Sequence, residues 1–301
     1  MKRHLSTLAL SALAVAAVGG LTVLRTGLVA EAAWRHDYTP LTVSTYPVSG
    51  NFTNVSVTDY YADVQFRVSR DGSVSVVTRD AADVTHTVRV EGNTLTVTRP
   101  EPSVGQRLFH HEDDDPEVTI YLPAGNYGAL TVSNTSGDIE TAGQLGFASA
   151  SLTTVSGDID LNGPVSGKIV CNTTSGDVEL RSPTAGDVEI STTSGDAELN
   201  DSYIQSLKVV SVSGDASLER VTAAGAVTIE TTSGDVELER SDAASLTIST
   251  TSGEVEGSLL SGKNFAVSSS IGRVSVPTSD PAGGPCTVTT TSGDIRLTVR
   301  P

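Results

Sequence analysis

Thr174-Ser175-Gly176-Asp177-Val178-Glu179-Leu180 is one copy of a phrase that recurs through more than half of the chain. Its glycine is one of a series, Gly137, Gly157, Gly176, Gly195, Gly214, Gly234, Gly253, Gly272 and Gly293, with successive spacings of 20, 19, 19, 19, 20, 19, 19 and 21 residues. Eight copies read Ser-Gly-Asp or Ser-Gly-Glu, and the remaining one is degenerate, Ile271-Gly272-Arg273. A fixed period near 20 marks a repeat architecture and outranks any local propensity.

Aligning on the glycine exposes ladders. Seven positions ahead stand Leu130, Ala150, Ile169, Val188, Leu207, Val227, Leu246, Phe265 and Cys286, and five ahead stand Val132, Leu152, Cys171, Ile190 and their equivalents. Two positions after it stand Ile139, Ile159, Val178, Ala197, Ala216, Val236, Val255, Val274 and Ile295. Polar residues separate these, so each repeat carries two short strands of period 2. The glycine supplies the bend between them, at a backbone angle other residues resist. About seven variable residues, such as 181–187, close the circuit. Such a circuit is too short for a propeller blade and has no helical stretch. It fits one coil of a β-solenoid, each coil rising about 4.8 Å, so nine coils make a rod of roughly 40 Å.

The fold class expected is therefore all-β, a single-chain solenoid of about nine coils of 19–20 residues at 129–301. Residues 46–128 read as an N-terminal coil and β-hairpin cap. Val55, Val57, Val64 and Phe66 keep the ladder offsets with Ala62 in place of the glycine, and Glu91-Gly92-Asn93 reads as a hairpin turn. Residues 31–45 read as a linker, and 1–30 as a membrane anchor or signal segment. Leu5 to Leu24 is an uncharged run behind Lys2, Arg3 and His4, long enough as a helix to span a bilayer core of roughly 30 Å. The positive flank places the N-terminus inside and the rest outside the cell membrane. The alternative is secretion after cleavage at Ala30-Glu31-Ala32.

The repeats, the Ala62-Asp63-Val64 element and the Ile120-Tyr121-Leu122-Pro123 step together resemble a bacterial putative-adhesin family, domain of unknown function family 4097, over roughly residues 45–298. The resemblance implies a β-solenoid often tethered to the bacterial membrane, with some relatives linked to cell-envelope stress systems. It brings no catalytic residues.

Charge narrows the function further. Nineteen Lys and Arg stand against 36 Asp and Glu, a net charge of −17, which repels a phosphate backbone and excludes nucleic-acid binding. Acids fall in columns. Asp138, Asp158, Asp177, Asp196, Asp215, Asp235, Glu254 and Asp294 follow the repeat glycines, and Glu140, Asp160, Glu179, Glu198, Glu237 and Glu256 stand two residues on. Carboxylates about 5 Å apart repel by about 3 kcal/mol at an effective dielectric of 20 and by near 1 in water. The expectation is that each Asp caps its own turn, the Glu faces water, and divalent cations bind only weakly. Arg273, between Glu254 and Asp294 in the sequence series, reads as a rung relieving repulsion.

No catalytic, cofactor or metal residue is assigned. A hydrolase or lyase on a β-helix would break the repeat at one place with unusual side chains, whereas these carboxylates copy one another, and the repeats offer only Phe147, Tyr203 and Phe265 as sugar platforms. His110-His111-Glu112-Asp113-Asp114-Asp115 reads as a solvated loop. Cys171 and Cys286 lie six coils apart in sequence order, too far for a disulfide, so both are expected as buried thiols. Thr131, Ser133, Thr247, Ser249, Thr287 and Thr289 form an outward hydroxyl face, and an inward Thr precedes most turns.

The function expected is a non-enzymatic extracytoplasmic scaffold or adhesion-like binding module tethered to the membrane through the N-terminal helix. Its partner would be a cell surface, a glycan or a membrane protein. The alternatives are a cell-envelope stress accessory or regulatory protein acting through a protein partner and, behind it, a polysaccharide-active enzyme. The last coil, ending in Ile295-Arg296-Leu297-Thr298-Val299-Arg300-Pro301, is expected to leave strand 294–299 as an open edge for weak self-association.

Overall fold

A computed structural model describes residues 41–81, 84–100 and 116–300, together with the backbone of Ala16–Val18 and Leu21–Thr26. The alternation seen in the sequence becomes two parallel sheets facing each other across a thin aliphatic core. The first sheet takes the strand ahead of each repeat glycine, as in Thr184–Ser191 and Tyr203–Val210; the second takes the strand after it, as in Val178–Arg181 and Ala197–Asn200. The ladders stack like on like. Val188 pairs with Leu207 and Ile190 with Val209 on one sheet, while Val178 pairs with Ala197 and Leu180 with Leu199 on the other. Inward residues of the middle coils are almost wholly buried, and their outward neighbours are exposed. The all-β solenoid of Gly-marked coils is as the period predicts.

The repeat glycines are needed for a different reason than the one read from sequence. Only Gly137, with φ of 120°, lies in the left-handed region. The others leave no room for a side chain: a Cβ at Gly195 or Gly214 would stand 1.9 Å from the carbonyl oxygen of the glycine one coil earlier. Left-handed backbone occurs instead six residues later, at the second corner, where Gly163, Ser182, Asp201, Arg220 and Arg240 have φ of 102°, 57°, 52°, 55° and 49°. Four of those five residues carry side chains, and each such residue is strained by roughly 1 kcal/mol or more.

Both ends of the stack depart from sequence order. At the N-terminal end, Asn54–Thr58 and Asp63–Val68 form the expected first coil beneath the repeats, pairing with Gly125–Ser133 and Ile139–Thr141. A further coil made from Thr94–Thr98 and Glu117–Leu122 lies outside it, although it comes later in the chain. Antiparallel strands then close this end. Thr87–Glu91 pairs with Thr94–Thr98 across the predicted hairpin, and Ser75–Ala81 and Leu41–Pro47 continue the second sheet.

At the C-terminal end the last coil of the sequence is not the last coil of the stack. Gly284–Ser292 is inserted between the strand Val236–Ser252 and the strand Lys263–Ile271, and Ile295–Val299 sits between Val255–Leu259 and Val274–Ser275. Of the expected open edge at 294–299, Ile295 and Arg296 are therefore paired on both sides while Leu297–Val299 keep a strand neighbour on one side, and the degenerate coil 263–275 is the terminal one. Arg273 accordingly lies beyond Asp294 instead of between Glu254 and Asp294. Lys263 holds the swapped arrangement together. It is level with Gly284, which has no side chain, and its buried ammonium reaches the coil beyond, donating to the Ala243 carbonyl at 2.7 Å and to Ser261 Oγ at 3.1 Å, and pairing with Asp242.

The insertion also brings Cys286 one coil nearer to Cys171, yet five steps of about 4.8 Å still separate them, and both are buried free thiols. Most of the predicted N-terminal helix falls outside the described residues. Where the backbone is described it is extended, not helical: Ala16–Val18 pairs antiparallel with Leu21–Thr26, which pairs with Leu41–Pro47. No helix among the described residues is long and apolar enough to cross a membrane.

Candidate functional site

The second sheet carries its two columns of carboxylates on one face of the rod. In the first column each Asp bonds the coil above instead of capping its own turn. Asp63 Oδ1 accepts the Asp138 N–H at 2.9 Å, and the same bond repeats from Asp138 to Asp158, Asp177, Asp196, Asp215, Asp235 and Glu254 at 2.7–2.8 Å. Aspartate is short enough to reach an amide about 4.8 Å up the stack, so the residue after each glycine staples two coils. Glu254 interrupts the series. At the next junction the main-chain bond shared by all the junctions is kept, Val255 N–H to the Asp294 carbonyl at 2.9 Å, while the Glu254 carboxylate pairs with Arg296 at 3.2 Å. Asp294 resumes the pattern and accepts the Arg273 N–H at 2.8 Å. That amide and the Arg296 and Arg273 charges hold its carboxyl below the usual range.

The second column is stacked in register: Glu140, Asp160, Glu179, Glu198, Ser217, Glu237, Glu256 and Arg296. Arginines sit at its ends and once within it. Arg67 forks onto both oxygens of Glu140 at 2.7 Å, Arg181 pairs with Glu179 and lies 3.6 Å from Asp160, and Arg296 pairs with Glu256 and Asp294. Between arginines the acids crowd. Partial burial, then the neighbouring Glu179, Glu140 and Asp158, raise the Asp160 carboxyl despite Arg181; burial, then Glu179, Asp196 and Asp177, raise Glu198. Where Ser217 replaces an acid, Asp196, Glu198, Asp215, Asp235 and Glu237 line an open depression of about 330 Å³. Among the described residues no group of three or more His, Cys, Asp or Glu is arranged to hold a metal ion.

The inward hydroxyls back this face. Thr154, Thr173, Thr192, Thr231, Thr250 and Thr290 donate to the repeat-glycine carbonyl one coil earlier at 3.2–3.5 Å, and Asn134 Nδ2 does the same to the Ala62 carbonyl at 2.8 Å. On the opposite sheet the predicted Thr and Ser positions are exposed, interrupted by the Lys168–Glu189 pair at 2.8 Å. Of the three aromatic residues within the repeats, Phe147 is buried, Phe265 half-buried, and Tyr203 is 67% exposed. The run 110–115 lies outside the described residues.

One polar cluster was not foreseen. In the cap, Asp59 Oδ1 accepts the backbone N–H groups of Tyr60, Tyr61 and Ala62 at 2.7–3.0 Å, which replaces the Ser-Gly-Asp turn. His86 Nε2 donates to Asp59 Oδ2 at 2.9 Å, and Arg99 bridges Asp59 at 3.4 Å and Asp80 at 2.9 Å while lying over the Tyr61 ring. All four side chains are buried. Burial pushes the Asp59 carboxyl up, but the His86 hydrogen bond, the His86 and Arg99 charges and the Tyr61 amide outweigh it, leaving it below the usual range. At Asp80 burial prevails over Arg99 and raises the carboxyl. The signal for this cluster was available as an Asp two to three residues ahead of a turn whose glycine is missing.

The fold and its stapled face define a parallel β-solenoid with a carboxylate-lined flank and closed N-terminal cap. The family model described as Toastrack DUF4097 matches residues 52–298, and the chain belongs to that family. Solved structures similar to it include a putative adhesin from Bacteroides fragilis, 15% identical over 87% of this chain and 98% of that one, with a TM-score of 0.47. Two proteins of Parabacteroides distasonis are also similar. A putative lipid binding protein is 15% identical over 85% of this chain and 96% of that one, at a TM-score of 0.49; a putative adhesin is 14% identical over the same shares, at 0.44. No curated protein matches the chain.

Proposed function

We propose that this protein is a non-enzymatic binding module, displayed outside the cell and held to the membrane by its N-terminal segment. The observation that carries the reading is the use made of the carboxylates: seven consecutive Asp side chains, from Asp63 to Asp235, each spend an oxygen on the amide of the next coil, so the acids serve the scaffold as copies of one another. A general acid and base require two carboxylates set apart from their neighbours by environment. A stiff rod with flat, solvated flanks instead suits recognition of an extended surface, and the name given to two of the structurally similar proteins is consistent with that use. The uncharged run Leu5–Leu24 behind Lys2 and Arg3 supports the tether.

The test uses the full chain with a C-terminal tag expressed in a bacterial envelope. The tag should pellet with membranes after alkaline wash and be digested by protease added to cells with the outer barrier opened. The purified chain should bind whole cells or a glycan array and should hydrolyse none of the polysaccharides offered. Release of the tag by alkaline wash would remove the tether, and turnover of any polysaccharide would remove the non-enzymatic reading. Retention of one membrane protein, without glycan or cell binding, would replace adhesion by an accessory role.

A further inference from the structure

The two ends of the solenoid are finished differently. At the N-terminal end, the inward residues Leu95, Val97, Val118 and Ile120 are as buried as any in the middle, because antiparallel strands continue past them. At the other end, the coil 263–275 has neighbours on one side alone among the described residues. Phe265 and Val267, whose equivalents within the rod are buried, are half-exposed here. Beside them Ile271 is 71% and Val274 44% exposed.

Part of this end is closed by the chain itself. The loop before strand Gly284–Ser292 supplies Ser279 Oγ to the Phe265 N–H at 3.0 Å, and the Asp280 N–H to the Lys263 carbonyl at 2.9 Å. Alternation then directs the N–H and C=O groups of Val267 and Ser269 to the same outer side, where no strand follows among the described residues. Leu41, Pro100 and Pro116, which border the undescribed segments 27–40 and 101–115, belong to the opposite end of the rod.

Charge selects what can approach. In a chain of net charge −17, residues 257–279 contain no Asp or Glu, and hold Lys263 and Arg273. Both carboxylate columns stop short of the end: the first finishes Glu254, Asp294, Arg273, and the second finishes Glu256, Arg296, Ser275. The end coil thus carries no carboxylate of its own, and Asp280, in the loop that closes one corner of it, is the acid a second rod standing there would meet among the described residues.

We propose that two copies of this protein associate end to end through coil 263–275. Their strands Lys263–Ile271 run antiparallel about a two-fold axis near Ser268, Val267 and Ser269 of each copy exchange backbone hydrogen bonds, and the half-exposed Val267 side chains of the two copies meet diagonally across the axis. The result is one continuous core with its two closed caps outermost.

The test is sedimentation velocity on the full chain in mild detergent across a wide concentration range, beside Ile271→Asp and Val274→Asp. Both positions are solvent-exposed, so folding is retained and a circular dichroism melt verifies it. Wild type should pass from monomer to dimer, and each variant should raise the dimer dissociation constant at least about tenfold by placing an unpaired carboxylate in the apolar contact. A second readout uses Ser268→Cys, which the two-fold axis brings beside its own copy, against Thr247→Cys on the same face two coils inward. The first should form an intermolecular disulfide far faster on mild oxidation. A monomer at every concentration, a dimer indifferent to both Asp variants, or equal cross-linking at the two cysteines would each overturn the proposal.

Discussion

Replacing Gly195 by alanine should be among the most damaging single-methyl changes available to this chain. The added Cβ would stand 1.9 Å from the Gly176 carbonyl oxygen, and real Cβ atoms keep at least 3.0 Å, so the coils must part by a further 1.1 Å. That oxygen is main-chain, fixed between coils by the Ser194 N–H to Thr174 carbonyl bond at 2.9 Å and the Asp196 N–H to Asp177 Oδ1 bond at 2.7 Å. Losing the two bonds removes about 2 kcal/mol, and the overpacking adds about 1–3 kcal/mol, for a total of about 3–5 kcal/mol. For a chain of this size the melting midpoint should fall by about 5–8 °C. Gly143→Ala is the matched control, since nothing lies within 4 Å of its added Cβ and its φ is not left-handed. It should stay within about 0.5 kcal/mol of wild type. Thermal and urea melts followed by circular dichroism decide it. Equal effects of the two substitutions, or a Gly195→Ala midpoint unchanged, would refute the claim that close approach of coils is what requires these glycines.

Other consequences follow from the same geometry. Asp177→Asn keeps an acceptor for the Asp196 amide and removes a charge, so it should match or exceed wild-type stability, whereas Asp177→Ala should cost about 1 kcal/mol in urea melts. Asp160 and Glu198 have raised folded-state pKa values, so stability should rise as pH falls through their titration, just above the ordinary carboxylate range; Asp59 and Asp294 have lowered values, so it should fall again once pH drops below about 3.8. Melts of the Asp160→Asn, Glu198→Gln double variant should show a smaller rise, with the part due to Asp80 left, and keep the fall. Lys263→Ala leaves Asp242 without its ion partner and should destabilise by about 2–4 kcal/mol, with earlier thiol labelling at Cys286 than at Cys171. In wild type neither thiol should label without denaturant, since burial pushes Cys286 up to about 11 and Cys171 up to about 12. Ser182→Gly, which relieves a φ of 57°, should stabilise by about 0.5 kcal/mol.

The period announced the solenoid because every coil solves the same packing problem, so Val178, Ala197 and Ala216 recur at one offset and stack at one level. Which residues share a column is therefore legible, but which coil is whose neighbour is not, since a column has no direction. That is why the insertion of Gly284–Ser292 ahead of Lys263–Ile271 escaped the reading. A trace of it existed: the coil that loses its acid, Ile271-Gly272-Arg273, is the one with nothing beyond it to staple. The left-handed corner was hidden because Arg220 and Arg240 carry none of glycine's signal there. The acidic face was legible as composition, while the direction of each Asp, up to the next coil's amide, depends on a stacking distance that no sequence states. The Lys263–Asp242 pair reaches across the inserted strand, past Gly284, between coils two steps apart, so it was invisible for the same reason.

The order of coils at the C-terminal end is the claim on which the end-face proposal rests, and paired cysteines test it directly. Thr247 is in register with Thr287, and Thr287 with Ala266, all three on the solvent side of the first sheet. The native thiols are buried and stay silent. With the last coil inserted, Thr247→Cys with Thr287→Cys should close an intramolecular disulfide readily, at a separation of about 4.8 Å, and Thr247→Cys with Ala266→Cys should not, at about twice that. Ready closure of the 247–266 pair with none at 247–287 would mean that the coils stack in sequence order, and would contradict the account.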